Sequence, residues 1–250
     1  MEGEAEPQTQ GLILPDLNSS ALFLDFDGTL VDIADRPDAV SVPDRVKRLL
    51  SRAQDRLSGR VAIVSGRAIS DLRAFLPAFK GTMIGSHGAE RLVDGIDEHV
   101  ADFDTDRIAA LQDLVFDFVR LQPDFLAERK PTGIVLHYRQ AQEQGALALR
   151  FMESLAAAAD GFRLQPAHFA YEIKLDSVGK DAAVSGMMAR DTFAGSTPIY
   201  AGDDLTDEAA LSWVQDQGGV AVKIGDAETV ARHRLADPAE LIGYLERWLA

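Results

Sequence analysis

Ala21-Leu22-Phe23-Leu24-Asp25-Phe26-Asp27-Gly28-Thr29-Leu30 is four apolar residues, an acid, an aromatic, a second acid, a glycine, a threonine and a leucine. The apolar run reads as a strand buried on both faces, the kind found in parallel sheets. In open α/β sheets, ligands bind beyond the carboxyl ends of strands, where both acids fall. On a straight strand Asp25 and Asp27 would point in opposite directions. They converge only if the chain turns after Asp25, and Gly28 supplies that freedom. Converging carboxylates repel unless they share a cation or a proton, so the stretch implies a metal.

Three further stations lie downstream. Tyr200-Ala201-Gly202-Asp203-Asp204-Leu205-Thr206-Asp207-Glu208 also follows an apolar strand. Asp204 or Thr206 can cap the helix that follows, but a cap does not use Asp203, Asp204 and Asp207 together. Hard oxygen ligands from two strand ends suit magnesium, with water and phosphate completing the shell. Val61-Ala62-Ile63-Val64 leads into Ser65-Gly66-Arg67, where a hydroxyl and backbone N–H groups at a helix start can cradle an anion. A serine there also serves as a simple cap; beside the acid pair the anion role is favoured. Lys180, at a helix start after Ser177-Val178-Gly179, is a candidate counter-charge for phosphate, and Lys174 competes with it.

Around these stations the βα rhythm runs from residue 21 to about 90 and resumes from 177 to 250. Helices are predicted over 42–57, 68–75, 180–190, from Asp204 onward and over 238–249, with strands at 61–65, 82–85, 198–201 and 219–223. Between them the texture changes. An Asp94-Gly95 pair flanked by apolar residues signals a hairpin. Helices over 104–121 and 141–159 alternate with extended runs at 125–126, 133–139, 162–164 and 169–175. The expected architecture is α/β: a Rossmann-like parallel-sheet core over 21–90 and 177–250, an inserted α+β cap over 91–176, and an N-terminal tail over 1–20.

Composition narrows the function classes. With 40 acidic against 25 basic residues the net charge is −15, a poor match to nucleic acid or an anionic membrane. There is no cysteine, hence no disulfide, thiolate catalysis or Cys-ligated zinc. No basic segment precedes an apolar run at the N-terminus, and no stretch reaches the roughly 18 apolar residues of a membrane span. A cytoplasmic protein without an obligate protein partner is the expectation.

The four stations in this order resemble the haloacid dehalogenase-like (HAD) phosphatase superfamily. That resemblance implies a Rossmann-like core with a cap, and an enzyme in which Asp25 attacks phosphorus and Asp27 is the general acid and base. It implies Mg2+ held by Asp25, the backbone carbonyl of Asp27 and Asp203, with Asp207 or Asp204 in or near the shell. It also implies that Ser65, Gly66 and Lys180 grip the phosphoryl group. The departure is Asp181 where a glycine is expected after the motif lysine.

Within the superfamily, Gly85-Ser86-His87-Gly88-Ala89-Glu90, Glu128-Arg129-Lys130 leading into His137-Tyr138-Arg139, and Tyr171-Glu172-Ile173-Lys174 are similar to the trehalose-6-phosphate phosphatases. The resemblance implies a phosphorylated disaccharide as substrate, with Glu128, Lys130 and Glu172 on sugar hydroxyls and Arg67 and His87 near the cleft. Hydrolysis of sucrose phosphate, mannosyl phosphoglycerate or another sugar phosphate, or a sugar phosphomutase reaction, are the alternatives.

Overall fold

The computed structural model describes residues 11–33, 40–99, 105–130, 132–167 and 169–250. From the N-terminus the strands and helices begin with β1 (Ser20–Leu24), α1 (Asp44–Arg56), β2 (Val61–Val64), α2 (Ile69–Phe75) and β3 (Thr82–Gly85). There follow β4 (Glu90–Val93), β5 (Ile96–His99), α3 (Thr105–Leu121), β6 (Leu126–Lys130), β7 (Gly133–His137) and α4 (Gly145–Ala158). The chain then forms β8 (Phe162–Ala167), β9 (Ala170–Leu175), α5 (Lys180–Met188) and β10 (Thr197–Gly202). It closes with α6 (Glu208–Asp216), β11 (Val220–Ile224), β12 (His233–Leu235) and α7 (Pro238–Trp248). Two compact units result: Met1–His99 with Gly179–Ala250, and Val100–Val178.

The first unit is built on an eight-stranded sheet in the order β12-β11-β10-β1-β2-β3-β4-β5. All pairings from β12 to β3 are parallel, and β4 and β5 are antiparallel additions. Every residue of β1 and β2 is buried, because their side chains alternate between two helical layers. Leu22, Leu24, Val61 and Ile63 pack with Val46 and Leu50 of α1, Leu72 of α2 and Leu245 of α7. Ala21, Phe23, Ala62 and Val64 pack with Val184 of α5 and Leu211 of α6. Helix α1 buries Val46, Leu49, Leu50 and Ala53, an i, i+3, i+4, i+7 stripe. Helix α7 starts with Asp237 accepting from the Glu240 N–H at 2.8 Å and with Pro238 in its first turn.

Two boundaries differ from the sequence reading. The hairpin at Asp94-Gly95, with φ of 52° and 79°, joins the large sheet because β4 pairs with β3 through Met83↔Leu92 and Ile84↔Arg91. The second compact unit therefore opens at Val100, not 91. The hairpin signal is local, whereas membership of a sheet is set by the distant partner strand. Within the segment read as a tail, residues 1–10 lie outside the described residues. Residues 11–19 are packed instead: Leu12, Leu14 and Leu17 lie against the core, and Trp248 Nε1 donates to the Pro15 carbonyl at 2.9 Å.

The second unit is an antiparallel sheet in the order β6-β7-β9-β8. Ala127, Ile134, Leu136 and Ile173 form one face of it, packed with Ile108, Leu111 and Val115 of α3 and with Ala148 and Met152 of α4. The opposite face follows from the register. Glu128↔Val135, Val135↔Glu172 and Glu172↔Gln165 form one row across all four strands, and Lys130, His137 and Lys174 share that side. Among the described residues, no helix is long and apolar enough to cross a membrane.

Candidate active site

Adjacent strands β1 and β10 bring the two acid motifs together at their carboxyl ends. The ladder continues one step past β1, where the Asp25 N–H donates to the Ala201 carbonyl at 2.9 Å. The chain then turns: the Gly28 N–H reaches the Val31 carbonyl at 2.7 Å and Gly28 takes a φ of 78°. A methyl group at Gly28 would lie 2.0 Å from Asp203 Oδ2, so the glycine is needed for conformation and for space. Gly28→Ala is expected to cost about 1–3 kcal/mol from backbone conformation alone and to weaken any Mg2+-dependent rise in melting temperature. An unchanged melting temperature and an unchanged Mg2+ response would contradict this.

Beyond the turn, one oxygen each from Asp25, Asp203 and Asp207 lie within 4.8 Å of one another. Lys180, at the start of α5, donates to Asp25 Oδ1 and Asp207 Oδ1, both at 2.7 Å, and its ammonium is buried. The Tyr200 hydroxyl also donates to Asp207 Oδ1, and the Thr29 hydroxyl reaches Asp203 Oδ1 at 3.3 Å. Burial, then the charge of Asp207 and Asp203, pushes the Asp25 carboxyl well above the ordinary carboxylate range despite the Lys180 ammonium beside it. Burial followed by Asp207 raises Asp203 as well. For Lys180 burial pulls downward, but the adjacent Asp25 and Asp207 outweigh it and hold the ammonium above its usual range.

Three carboxylates facing one ammonium leave a deficit of positive charge inside the protein. The donor set is all hard oxygen, and two of the three acids are buried. A small divalent cation such as Mg2+ fits these residues.

Asp204, which the sequence offers as a ligand or a cap, is a cap here: its side chain accepts from Leu205 N at 2.5 Å, and Asp207 Oδ2 takes the Asp204 N–H at 3.0 Å. The Asp27 carboxylate points to Arg67, which donates through Nε at 2.6 Å and through a terminal nitrogen at 2.8 Å. The Arg67 guanidinium lies 5.0 Å from the Phe75 ring centre and 5.8 Å from that of Phe26. Ser65 is buried, and its hydroxyl accepts from the Arg67 N–H at 3.1 Å. Asp25, Asp27, Ser65, Gly66, Arg67, His87, Lys180, Asp203 and Asp204 all line one cavity of about 500 Å3.

Glu128, Lys130 and Glu172 belong to the other unit, on the sheet face opposite its helices. Glu128 pairs with Lys130, and His137 Nε2 lies 3.0 Å from Glu128 Oε2. Lys130 and then His137 lower the carboxyl pKa of Glu128. Of the two lysines left open by the sequence, Lys180 meets Asp25 and Asp207, whereas Lys174 lies on β9.

Sequence reasoning passed over Tyr200 and Thr29 as parts of the site. Tyr200 had a readable signal: a tyrosine within a buried apolar strand must place its hydroxyl on a partner. Thr29 acts through its contact with Asp203, which spacing does not reveal.

The parallel βα sheet, with an acid past its central strand and a second acid motif on the neighbouring strand, has the HAD-like fold. A haloacid dehalogenase-like hydrolase from B. subtilis superposes with a TM-score of 0.64 at 14% identity, over 90% of this chain and 98% of that one. Trehalose-6-phosphate phosphatase of Aspergillus fumigatus reaches a TM-score of 0.79 at 23% identity, over 92% and 93% of the two chains. At these identities the likeness establishes the fold. The sequence carries the family: residues 23–240 match the trehalose-phosphatase model. Trehalose-6-phosphate phosphatase of Escherichia coli (strain K12) is 31% identical over 242 residues, 96% of this chain and 90% of that protein. The chain belongs to the trehalose-phosphatase family, whose members are phosphoric monoester hydrolases.

Proposed function

We propose that this protein hydrolyses trehalose 6-phosphate to trehalose and inorganic phosphate with Mg2+, through an aspartyl-phosphate on Asp25. The observation that carries the chemistry is the buried Asp25 carboxylate, held by Lys180 beside Asp203 and Asp207 in a family member.

An Asp25 oxygen attacks phosphorus as the bond to the sugar oxygen breaks. Lys180 fixes the direction of that carboxylate and places a cation at the phosphoryl oxygens. Ser65 and the N–H groups after it hold the other side of the group. Asp27, two residues on and past the Gly28 turn, gives a proton to the departing sugar oxygen. It then takes one from the water that splits the acyl phosphate. Its carboxylate is paired with Arg67 in this structure, so Asp27 must leave that ion pair and take up a proton before it can serve as the acid. Asp25, Asp203 and Asp207 would hold the Mg2+, which supplies positive charge that lets two anionic groups approach. Asp204 remains a helix cap in this reading.

Sugar recognition falls to the cap sheet, where Glu128, Lys130 and Glu172 offer charged hydrogen bonds to hydroxyls on one face. Such groups reject a substrate lacking the matching hydroxyl more strongly than an apolar wall does. The absence of cysteine and the free sugar phosphate as substrate favour a cytoplasmic setting.

A phosphate-release screen over sugar phosphates, with Mg2+ and with EDTA, tests the proposal. Trehalose 6-phosphate should exceed glucose 6-phosphate and sucrose phosphate in kcat/KM, and EDTA should abolish turnover. Equal rates on trehalose and glucose phosphates would refute the disaccharide assignment. Glu172→Ala should narrow the preference for trehalose 6-phosphate while sparing turnover of small phosphomonoesters; an equal loss on all substrates would refute its role on the sugar.

A further inference from the structure

The turn between β3 and β4 carries an unusual backbone. Ser86, His87 and Gly88 are three consecutive residues with φ of 50°, 54° and 104°. Two of them have side chains, for which this region is disfavoured, so the surroundings must impose it. On one side, the Ser86 N–H donates to the Arg67 carbonyl at 2.8 Å and the His87 N–H to the Ser65 carbonyl at 3.0 Å. These bonds grip the backbone of the Ser65-Gly66-Arg67 loop. The His87 ring covers Gly66 so closely that a methyl there would fall 2.6 Å from its Cε1. On the other side, a methyl on Gly88 would fall 2.7 Å from the Gly179 carbonyl oxygen and 3.3 Å from Ala183 Cβ. Gly179 immediately precedes Lys180. The turn thus touches the backbone beside both halves of the proposed phosphate grip.

Glu90 ties this turn down. Its Oε1 accepts from the Ser86 hydroxyl at 2.9 Å, and its Oε2 accepts from the Ile69 N–H at 2.9 Å, at the start of α2. One carboxylate thereby links the strained turn to the helix that follows the Ser65 loop.

We infer that Glu90 is a positioning residue: it locks the left-handed Ser86–Gly88 turn, which sets the spacing between Ser65 and Lys180 across the phosphoryl group. The inference rests on the phosphatase reading above but not on the identity of the sugar. Glu90 touches no substrate atom in this account; it acts through backbone.

The test uses the full-length, Mg2+-loaded protein with Glu90→Ala, Glu90→Gln and Ser86→Ala. Rates are read on trehalose 6-phosphate and p-nitrophenyl phosphate, together with the inhibition constant of inorganic phosphate and the melting temperature. Displacing a positioned group by about 1 Å costs on the order of 100-fold. Glu90→Ala should therefore lower kcat/KM on both substrates by about 10- to 100-fold and raise the phosphate inhibition constant. The Mg2+ concentration for half-activation should stay unchanged. Glu90→Gln should recover most of the loss, because its amide oxygen can accept from Ile69 while its NH2 donates to the Ser86 oxygen. Ser86→Ala removes one arm without changing charge and should show the same pattern, smaller in size.

A folded Glu90→Ala with wild-type kcat/KM and phosphate inhibition overturns the inference. So does a loss of activity that only tracks the folded fraction. If Glu90→Ala fails to fold, Ser86→Ala decides, and wild-type kinetics there overturn it. If the wild type ignores trehalose 6-phosphate, the substrate proposal fails while the p-nitrophenyl phosphate and inhibition arms still read Glu90.

Discussion

Asp25→Asn is expected to lower phosphate release by about 10⁴-fold or more, on every substrate, because it removes the attacking atom. The same variant should fold well, and the reason lies in the metal-free charge balance. Asp25, Asp203 and Asp207 face a single ammonium, and burial pushes the Asp25 carboxyl well above its ordinary range. A carboxyl raised in the folded state binds a proton that the unfolded chain has already released. Its favourable contribution is complete below the unfolded value and is lost as pH climbs through the folded one. In EDTA, wild-type stability should therefore fall as pH rises above the ordinary carboxylate range, and Asp25→Asn should flatten that fall. The variant should also show a smaller rise in melting temperature with Mg2+. Melting temperatures across pH, with and without metal, check both points. Substantial residual turnover by Asp25→Asn would rule out the nucleophile assignment.

Lys180→Met is expected to have the largest effect on stability. The ammonium is buried and bonded at 2.7 Å to Asp25 and to Asp207, and Asp207 is itself inaccessible. Removing one partner from a buried ionic group leaves uncompensated charge and costs about 3–5 kcal/mol. Methionine fills much the same volume, so the loss reports charge and hydrogen bonding more than packing. Saturating Mg2+ should restore more stability to Lys180→Met than it adds to the wild type, because the cation then relieves a larger deficit. Turnover should stay low even when the fold is restored, since phosphate would lack its counter-charge. Denaturant unfolding with and without Mg2+ makes the comparison. A loss below about 1 kcal/mol, the range of an exposed pair, would refute this account of Lys180.

The core was legible wherever burial on both faces wrote a continuous apolar run. Residues 21–24, 61–65 and 198–201 read directly as strands, and each range holds one. Strand β12 was missed, because His233-Arg234-Leu235 is short and polar and exists as a strand only through its pairing with β11. The hairpin at Asp94-Gly95 was legible as a turn but not as part of the large sheet, since its partner β3 decides that. The site was legible as a set of stations. Sequence alone left Asp204 and Asp207 interchangeable. The structure separates them by a hydrogen bond: Asp204 turns back to its own helix start, whereas Asp207 turns inward to Lys180 and Tyr200. A choice of that kind depends on side-chain rotation, which residue order does not encode.

Strand β1 pairs on one side with β2, about 40 residues away, and on the other with β10, about 175 residues away. During synthesis its second edge has no partner until Thr197–Gly202 has left the ribosome. A mostly apolar strand with an open edge is a template for pairing with another chain. Residues 100–178, by contrast, contain all the strands of their own sheet and can close while β1 waits. Pairing of β10 with β1 and assembly of the Asp25, Asp203 and Asp207 cluster thus both wait for the same late stretch of chain. A chain stalled before residue 197 would have neither β10 beside β1 nor a metal site.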